Sequence, residues 1–347
     1  MRVVVATDHF PPHRSGHAIA VKWWADGLAH AGHDVTVVTD APLPANAEHR
    51  TLRIPVLPGL PVGHPVAALR PAGRALDGLR RDPPDVLHLH GYGPLCLAVR
   101  RALPAVPTVV TLHQFPDGAG APGVPGLRPL MDRLLALAVR GAVTVVPSEV
   151  ARAKLRAGWG VEARVLPTGV APAFIEAAAA PRPTPTDAAP RLLYVGRRSV
   201  DKNFGQLLRL ARAHPEARWT AIGHGPMAVA VGVRAVTAAS PAEVAAHLRE
   251  ADALVAPSLH ETQGLAALEA ITVGTAVVAP RDSAQAELIE EGRSGFTFAR
   301  GDDADAWRAL TAAVALTRAG GVRPSPRFEP ARLVAAMTAI YREHAAH

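Results

Sequence analysis

"RLLYVGRRSVDKNFGQLLRLARAHPEARWTAIG", residues 191–223, decides the fold. Its first six residues form a short apolar run ending at a glycine and read as a strand. "NFGQLLRLARAH" (203–214) reads as a helix, and "RWTAIG" (218–223) reads as a second strand. The strand runs are nearly continuously hydrophobic rather than alternating, the mark of parallel strands covered on both faces by helices.

The same grammar extends in both directions. Ahead of it, "RVVVATD" (2–8), "AGHDVTVVTD" (31–40), "DVLHLHG" (85–91), "TVVTLH" (108–113) and "AVTVVPS" (142–148) read as strands, with a helix over about 17–31. Behind it, "ALVAPS" (253–258) and "AVVAPR" (276–281) read as strands. "PAEVAAHLREA" (241–251), "GLAALEAITV" (264–273) and "PARLVAAMTAIYREHA" (330–345) read as helices. Between the two runs, "APAFIEAAAAPRPTPTDAAP" (171–190) is rich in Ala and Pro and reads as a linker, because proline disrupts ladders and helix interiors. The expectation is an α/β chain of two Rossmann-like, doubly wound domains facing a central cleft. The first spans 1–170, with the last helix, 330–347, packing back on it; the second spans 171–329. In such sheets ligands bind beyond the carboxyl ends of the strands.

Composition narrows the function. At 347 residues, two domains are expected. Hydrophobic content of 49% against 19% charged supports a sizeable core and argues against disorder. The net charge is +7, but no five basic residues are consecutive and no basic stripe is interleaved with aromatics. That argues against a nucleic-acid partner and leaves an anionic small molecule or a peripheral membrane contact open. Cys96 is the only cysteine, so neither an internal disulfide nor a cysteine zinc site is available. No signal-peptide core and no membrane-length apolar run is visible, and a cytoplasmic location is expected.

Four loops at strand carboxyl ends carry chemistry. "HETQGLAALEA" (260–270) holds Glu261 and Glu269 across a loop-to-helix junction. Thr262 reads as the N-cap, with the helix starting near Gln263 to Leu265 and Gly264 allowing close backbone approach. Free N–H groups at a helix start suit a phosphate, and carboxylates beside it suit sugar or ribose hydroxyls. "RRSVDKNF" (197–204) offers Arg197 and Lys202, two cations suited to a pyrophosphate. In "PHRSGHA" (12–18), Gly16 opens a helix as a phosphate-approach glycine would. His113 ends a strand, where a histidine serves as acid, base or hydroxyl partner. His88 and His90 share one strand face and read as structural. "GHGPMA" (223–228) fits G-x-G-x-x-G/A with Glu243 downstream. The next strand-like run, "VRAV" (233–236), follows too closely for a dinucleotide-binding helix.

Together these segments resemble the retaining GT-B glycosyltransferases of family 4. The carrying motifs are "PSLHETQGLAALEA" (257–270) as E-x7-E, "YVGRRSVDKN" (194–203) as Gly-Arg…Lys, "IGHGP" (222–226), "GHDVTVVT" (32–39), "DVLHLHG" (85–91) and "PTGV" (167–170). The resemblance implies roles. Arg197 and Lys202 bind the donor pyrophosphate and Glu269 the ribose hydroxyls. Glu261 contacts the transferred sugar, and the N–H groups of Thr262, Gln263, Gly264 and Leu265 touch sugar and phosphate. Gly16 approaches the phosphate, and His113 sits by the sugar and acceptor. It further implies hexosyl transfer from a nucleotide sugar, with UDP as default and GDP as rival, without cofactor or metal. The acceptor hydroxyl could belong to a lipid, a glycan or a small molecule, with the loops 9–17, 57–66 and 114–127 lining its site. The chain departs from the family pattern at "E-T-Q-G" in place of E-G-F-G, at Thr168 in place of Asn, and in having a single loop glycine, Gly16. Alternatives are a nucleotide-sugar-binding protein without transferase activity, and an epimerase or phosphorylase on the same scaffold.

Overall fold

The computed structural model describes residues 1–13, 15–42, 49–54, 76–116, 127–183, 188–236 and 240–346. It divides into two compact units, Met1–Gly169 with Arg327–His347, and Val170–Pro326.

In the first unit the strands are β1 (Arg2–Thr7), β2 (Asp34–Thr39), β3 (Arg50–Arg53), β4 (Val86–His90), β5 (Thr108–Thr111), β6 (Val143–Val146) and β7 (Arg164–Val165). They form one sheet in the order β3-β2-β1-β4-β5-β6-β7, every described pairing being parallel. The first helices are α1 (Gly16–His30), α2 (Asp77–Arg81), α3 (Pro94–Ala102), α4 (Leu127–Val139) and α5 (Glu149–Trp159). Successive strand residues point to opposite faces. Val3, Val5, Val37 and Val109 therefore pack in one cluster with Trp24 and Leu28 of α1. Val4, Ala6, Leu87 and Val110 pack in the other, with Leu95, Cys96 and Val99 of α3. This is why the strands read as unbroken apolar runs.

The second unit repeats the plan. Its strands are β8 (Arg191–Val195), β9 (Arg218–Ile222), β10 (Val233–Val236), β11 (Ala253–Val255), β12 (Ala276–Pro280) and β13 (Gly295–Phe298). Their order is β10-β9-β8-β11-β12-β13, again parallel. Helices α6 (Pro172–Ala179), α7 (Phe204–Ala213), α8 (Pro241–Glu250), α9 (Leu265–Thr272) and α10 (Asp303–Arg318) accompany it. The last helix, α11 (Pro330–Ala345), belongs to the first unit. There Leu333, Met337 and Tyr341 join the cluster of Val3 and Trp24. Tyr341 Oη lies 2.6 Å from His88 Nδ1, and Thr338 Oγ1 lies 3.1 Å from His33 Nε2. No described helix is long and apolar enough to cross a membrane.

The linker reading of 171–190 needs correction: its first part is helix α6. Pro172 sits in the first turn, where a missing N–H breaks no helical bond. Phe174 is buried, and Arg182 donates to Gly274 O at 2.8 Å, tying the segment to the second unit.

Each sheet reverses its strand order at one place, between β1 and β4 and between β8 and β11. Loops that leave those strands diverge there and open a crevice at the carboxyl edge.

Candidate active site

At the β8/β11 crevice of the second unit, the loop after β8 carries Arg197 to Asn203 and the loop after β11 carries Ala256 to Gly264. Three contacts lock the loops together. Leu259 N donates to Asp201 O at 3.0 Å, and Asn203 Nδ2 donates to Pro257 O at 3.2 Å. Lys202 Nζ lies 2.6 Å from Glu261 Oε1, with both side chains about one-fifth exposed. Arg197 is held by Asp201 at 2.8 Å, while Tyr194 Oη donates to Arg197 O at 2.7 Å and fixes the loop's turn. Arg198, in the same loop, has a buried Nε with no partner among the described residues. The reading of the sequence passed over that third cation, although it stands beside Arg197.

Thr262 is not the N-cap, contrary to the sequence reading. Helix α9 begins at Leu265, and its N-cap is Gly264 at φ 91°. That left-handed conformation favours glycine. A Cβ on Gly264 would also collide with the Gln285 side chain. Thr262 and Gln263 thus belong to the loop, and Gln263 is buried. The first N–H groups of α9 still lack intrahelical acceptors, so the anion-binding end of the helix lies beside Glu261.

Glu269 is no solvated helix residue. It is 8% exposed, and burial pushes its carboxyl up to about 7. A carboxyl so placed can take hydroxyl donors from a ligand, which then favour its ionised form.

The glycines of "GHGPMA" serve the site differently from a dinucleotide motif. A Cβ on Gly223 would strike the Gly196 backbone, and one on Gly225 the Arg198 backbone. Arg198 N donates to His224 O at 2.8 Å, and Met227 N donates to Arg198 O at 3.1 Å. The two glycines let the β9 loop press against the β8 loop. Glu243 closes a capping box with Ser240 at the start of α8, which occupies its carboxylate.

In the first unit, imidazoles gather at the carboxyl ends of β1, β4 and β5. His113, two residues beyond β5, places Nε2 2.9 Å from His90 Nδ1. Its ring centroid lies 4.7 Å from that of His17, and His9 lies 5.1 Å from His17. His17 Nε2 is 3.0 Å from His90 O. Burial lowers His113 to about 4 and His88 to about 3, and lowers His90 well below its ordinary range. These rings are neutral at pH 7 and act as hydrogen-bonding groups, not cations. His88 is spent on structure, its Nε2 2.7 Å from Thr111 Oγ1. Gly16 is the first residue of α1, behind Ser15, whose Oγ accepts Ala18 N at 3.2 Å. Asp8, which the sequence reading missed, is buried just beyond β1 and accepts Leu95 N at 2.9 Å, filling the start of α3 with an internal carboxyl whose pKa burial raises. Its only signal was an acidic residue directly after a strand. The acceptor-side stretches 57–66 and 117–126 lie outside the described residues.

Comparison with known proteins identifies the family and the fold. Residues 14–174 match the family model described as Glycosyltransferase Family 4, and residues 189–315 match Glycosyl transferases group 1. The chain is 26% identical over 336 residues to the alpha-monoglucosyldiacylglycerol synthase of Streptococcus pneumoniae, covering 86% of this chain and 75% of that protein. It is 28% identical over 351 residues to the glycogen synthase of Mycobacterium tuberculosis, covering 87% and 83%. In fold it is similar to the sucrose-phosphate synthase from Thermosynechococcus elongatus, with a TM-score of 0.77 at 19% identity over 100% of both chains.

Proposed function

This chain belongs to glycosyltransferase family 4 with the GT-B fold, and from that premise we propose a retaining, metal-independent hexosyl transfer. The donor is a nucleotide sugar, with UDP as the nucleotide the family resemblance carries, and the acceptor is a hydroxyl. The observation that supports this reading best is the convergence of Lys202, Glu261 and the start of α9 at one crevice.

Transfer needs a stabilised nucleoside diphosphate leaving group. Arg197, Lys202 and the α9 N–H groups supply positive charge and donors where that charge develops. Glu269 takes the ribose hydroxyls. Glu261 takes a hydroxyl of the transferred sugar and, while the site is empty, neutralises Lys202. Breaking the bond between the anomeric carbon and the phosphate oxygen leaves its electron pair on that oxygen. The acceptor oxygen attacks the same face, and the departing phosphate takes its proton, which gives retention without a protein nucleophile. On the first unit, neutral His113 and the backbone at Gly16 are assigned to the sugar, acceptor and phosphate. The two relatives named above carry lipid and glucan products in their names. Both kinds of acceptor, and small molecules, fit this assignment.

The test is donor turnover in EDTA with UDP-glucose and GDP-mannose, followed by the anomeric configuration of the product. An α-linked product from an α-linked donor supports the proposal. A β-linked product, or turnover abolished by EDTA and restored by a divalent cation, contradicts it.

A further inference from the structure

We propose that Gln285 determines donor specificity by hydrogen-bonding a hydroxyl of the transferred hexosyl unit; this rests on the transferase reading above. Gln285 follows β12, the strand beside β11, at the same carboxyl edge. Its backbone is fixed: Ser283 N donates to Pro280 O, Ala286 N to Ser283 O and Leu288 N to Gln285 O, at 3.0 to 3.1 Å. Its side chain is laid across Gly264, occupying the space that a Cβ there would need. The amide is therefore placed against the N-cap of α9, three residues after Glu261.

Gln285 is 4% exposed, and its Oε1 is buried with no hydrogen-bond partner among the described residues. A buried amide left unpaired is destabilising, whereas leucine or methionine would fill the same space without that penalty. Buried polar groups in folded chains almost always have partners, so an orphan at the edge of a ligand site is satisfied by the ligand. A glutamine amide carries both an acceptor and a donor, which separates the parts of the donor substrate. A diphosphate offers acceptors only and cannot satisfy both. A sugar hydroxyl donates, and it can also accept from Nε2 of the same amide. Ribose is assigned to Glu269, more than one turn further along α9, so the hydroxyl that Gln285 meets belongs to the hexosyl unit.

The test compares wild type with Gln285→Met, which keeps the volume, and Gln285→Glu, which keeps the shape. UDP-glucose or GDP-mannose serves as donor, whichever wild type turns over, with the matching UDP or GDP as the ligand lacking sugar. Gln285→Met is expected to raise KM for the nucleotide sugar about tenfold and leave the Kd for the nucleoside diphosphate within about twofold. Its Tm without ligand should equal or exceed that of wild type. Among singly deoxygenated donors, wild type should discriminate against one, and Gln285→Met should lose that discrimination. An unchanged KM overturns the proposal. Equal losses for nucleotide sugar and nucleoside diphosphate, or a fall in Tm with no change in deoxy-donor preference, also overturn it. Wild type that turns over neither donor overturns the transferase reading and this one with it, and that result is read before any variant is made.

Discussion

The Lys202 ammonium lies 2.6 Å from the Glu261 carboxylate, joining the loop after β8 to the loop after β11 across the switch point of the second sheet. In the proposed reading, Glu261 holds in place the cation assigned to the donor diphosphate and competes with the donor for it.

This competition gives a split prediction for Glu261→Gln. Turnover should fall about 10²-fold, because the contact to the transferred sugar is lost. Affinity for UDP should stay equal or rise severalfold, because Lys202 is freed. Lys202→Ala should do the reverse and weaken UDP by roughly 30-fold, the loss of a hydrogen bond to a charged group. Uridine, which carries no phosphate, should bind both variants as it binds wild type. Calorimetric titration of UDP and uridine into wild type and both variants, together with donor turnover, checks this.

Glu269 predicts a trade between stability and binding. Its folded carboxyl titrates near 7, against 4.5 ordinarily. Below pH 4.5 both folded and unfolded forms are protonated and the group contributes nothing. Between 4.5 and 7 the unfolded chain ionises first, so folding stability falls as pH rises, and the penalty is complete above 7. It amounts to roughly 3 kcal/mol. Glu269→Gln should therefore raise the Tm of ligand-free protein at pH 8, with the gain shrinking toward pH 4.5, while nucleotide affinity falls. Chemical denaturation at pH 5 and pH 8 checks the sign.

The histidines of the first unit predict the opposite slope. His88, near 3, and His113, near 4, are held neutral below the ordinary imidazole value. Their stabilising share is complete above about pH 6.5 and is lost as pH falls from there toward about 4 for His113 and about 3 for His88. Melting temperature should drop over that window, and His113→Gln should flatten the drop. An unchanged slope in the variant would remove His113 from the account.

Much of this was legible in the sequence, for definable reasons. Strands covered on both faces are apolar along nearly their whole length, so β1, β8 and β12 announced themselves. Charged and polar residues directly after such strands, Arg197, Lys202, Glu261 and His113, had to lie at the carboxyl edge. Helix α6 was hidden because alanine has no periodicity and its prolines suggested a break, although proline is tolerated in a first turn. Helix α10 (Asp303–Arg318) was passed over for its even spread of alanine. Thr262 was misread as a cap because local propensity favours it, while the cap is set by a left-handed glycine lying under Gln285. The Gly264–Gln285 and His90–His113 contacts arise from strand pairing and have no local signature.

Gly225→Ala tests the packing reading of "GHGPMA". Gly225 has φ 155°, and a Cβ would strike the Arg198 backbone. The substitution should destabilise by about 2–4 kcal/mol and weaken UDP by displacing the β8 loop. NAD should bind neither form.

The central claim, a nucleotide site that works without metal in the second unit, is tested most directly by the thermal stability of the purified chain with UDP, GDP, ADP and NAD, each with and without EDTA. A ligand at about 100 times its Kd adds roughly 2.7 kcal/mol, a readily measured shift in Tm. The account predicts stabilisation by UDP, or by GDP as its rival, that is unchanged in EDTA. Stabilisation by NAD alone, or a UDP effect that EDTA removes, would contradict it.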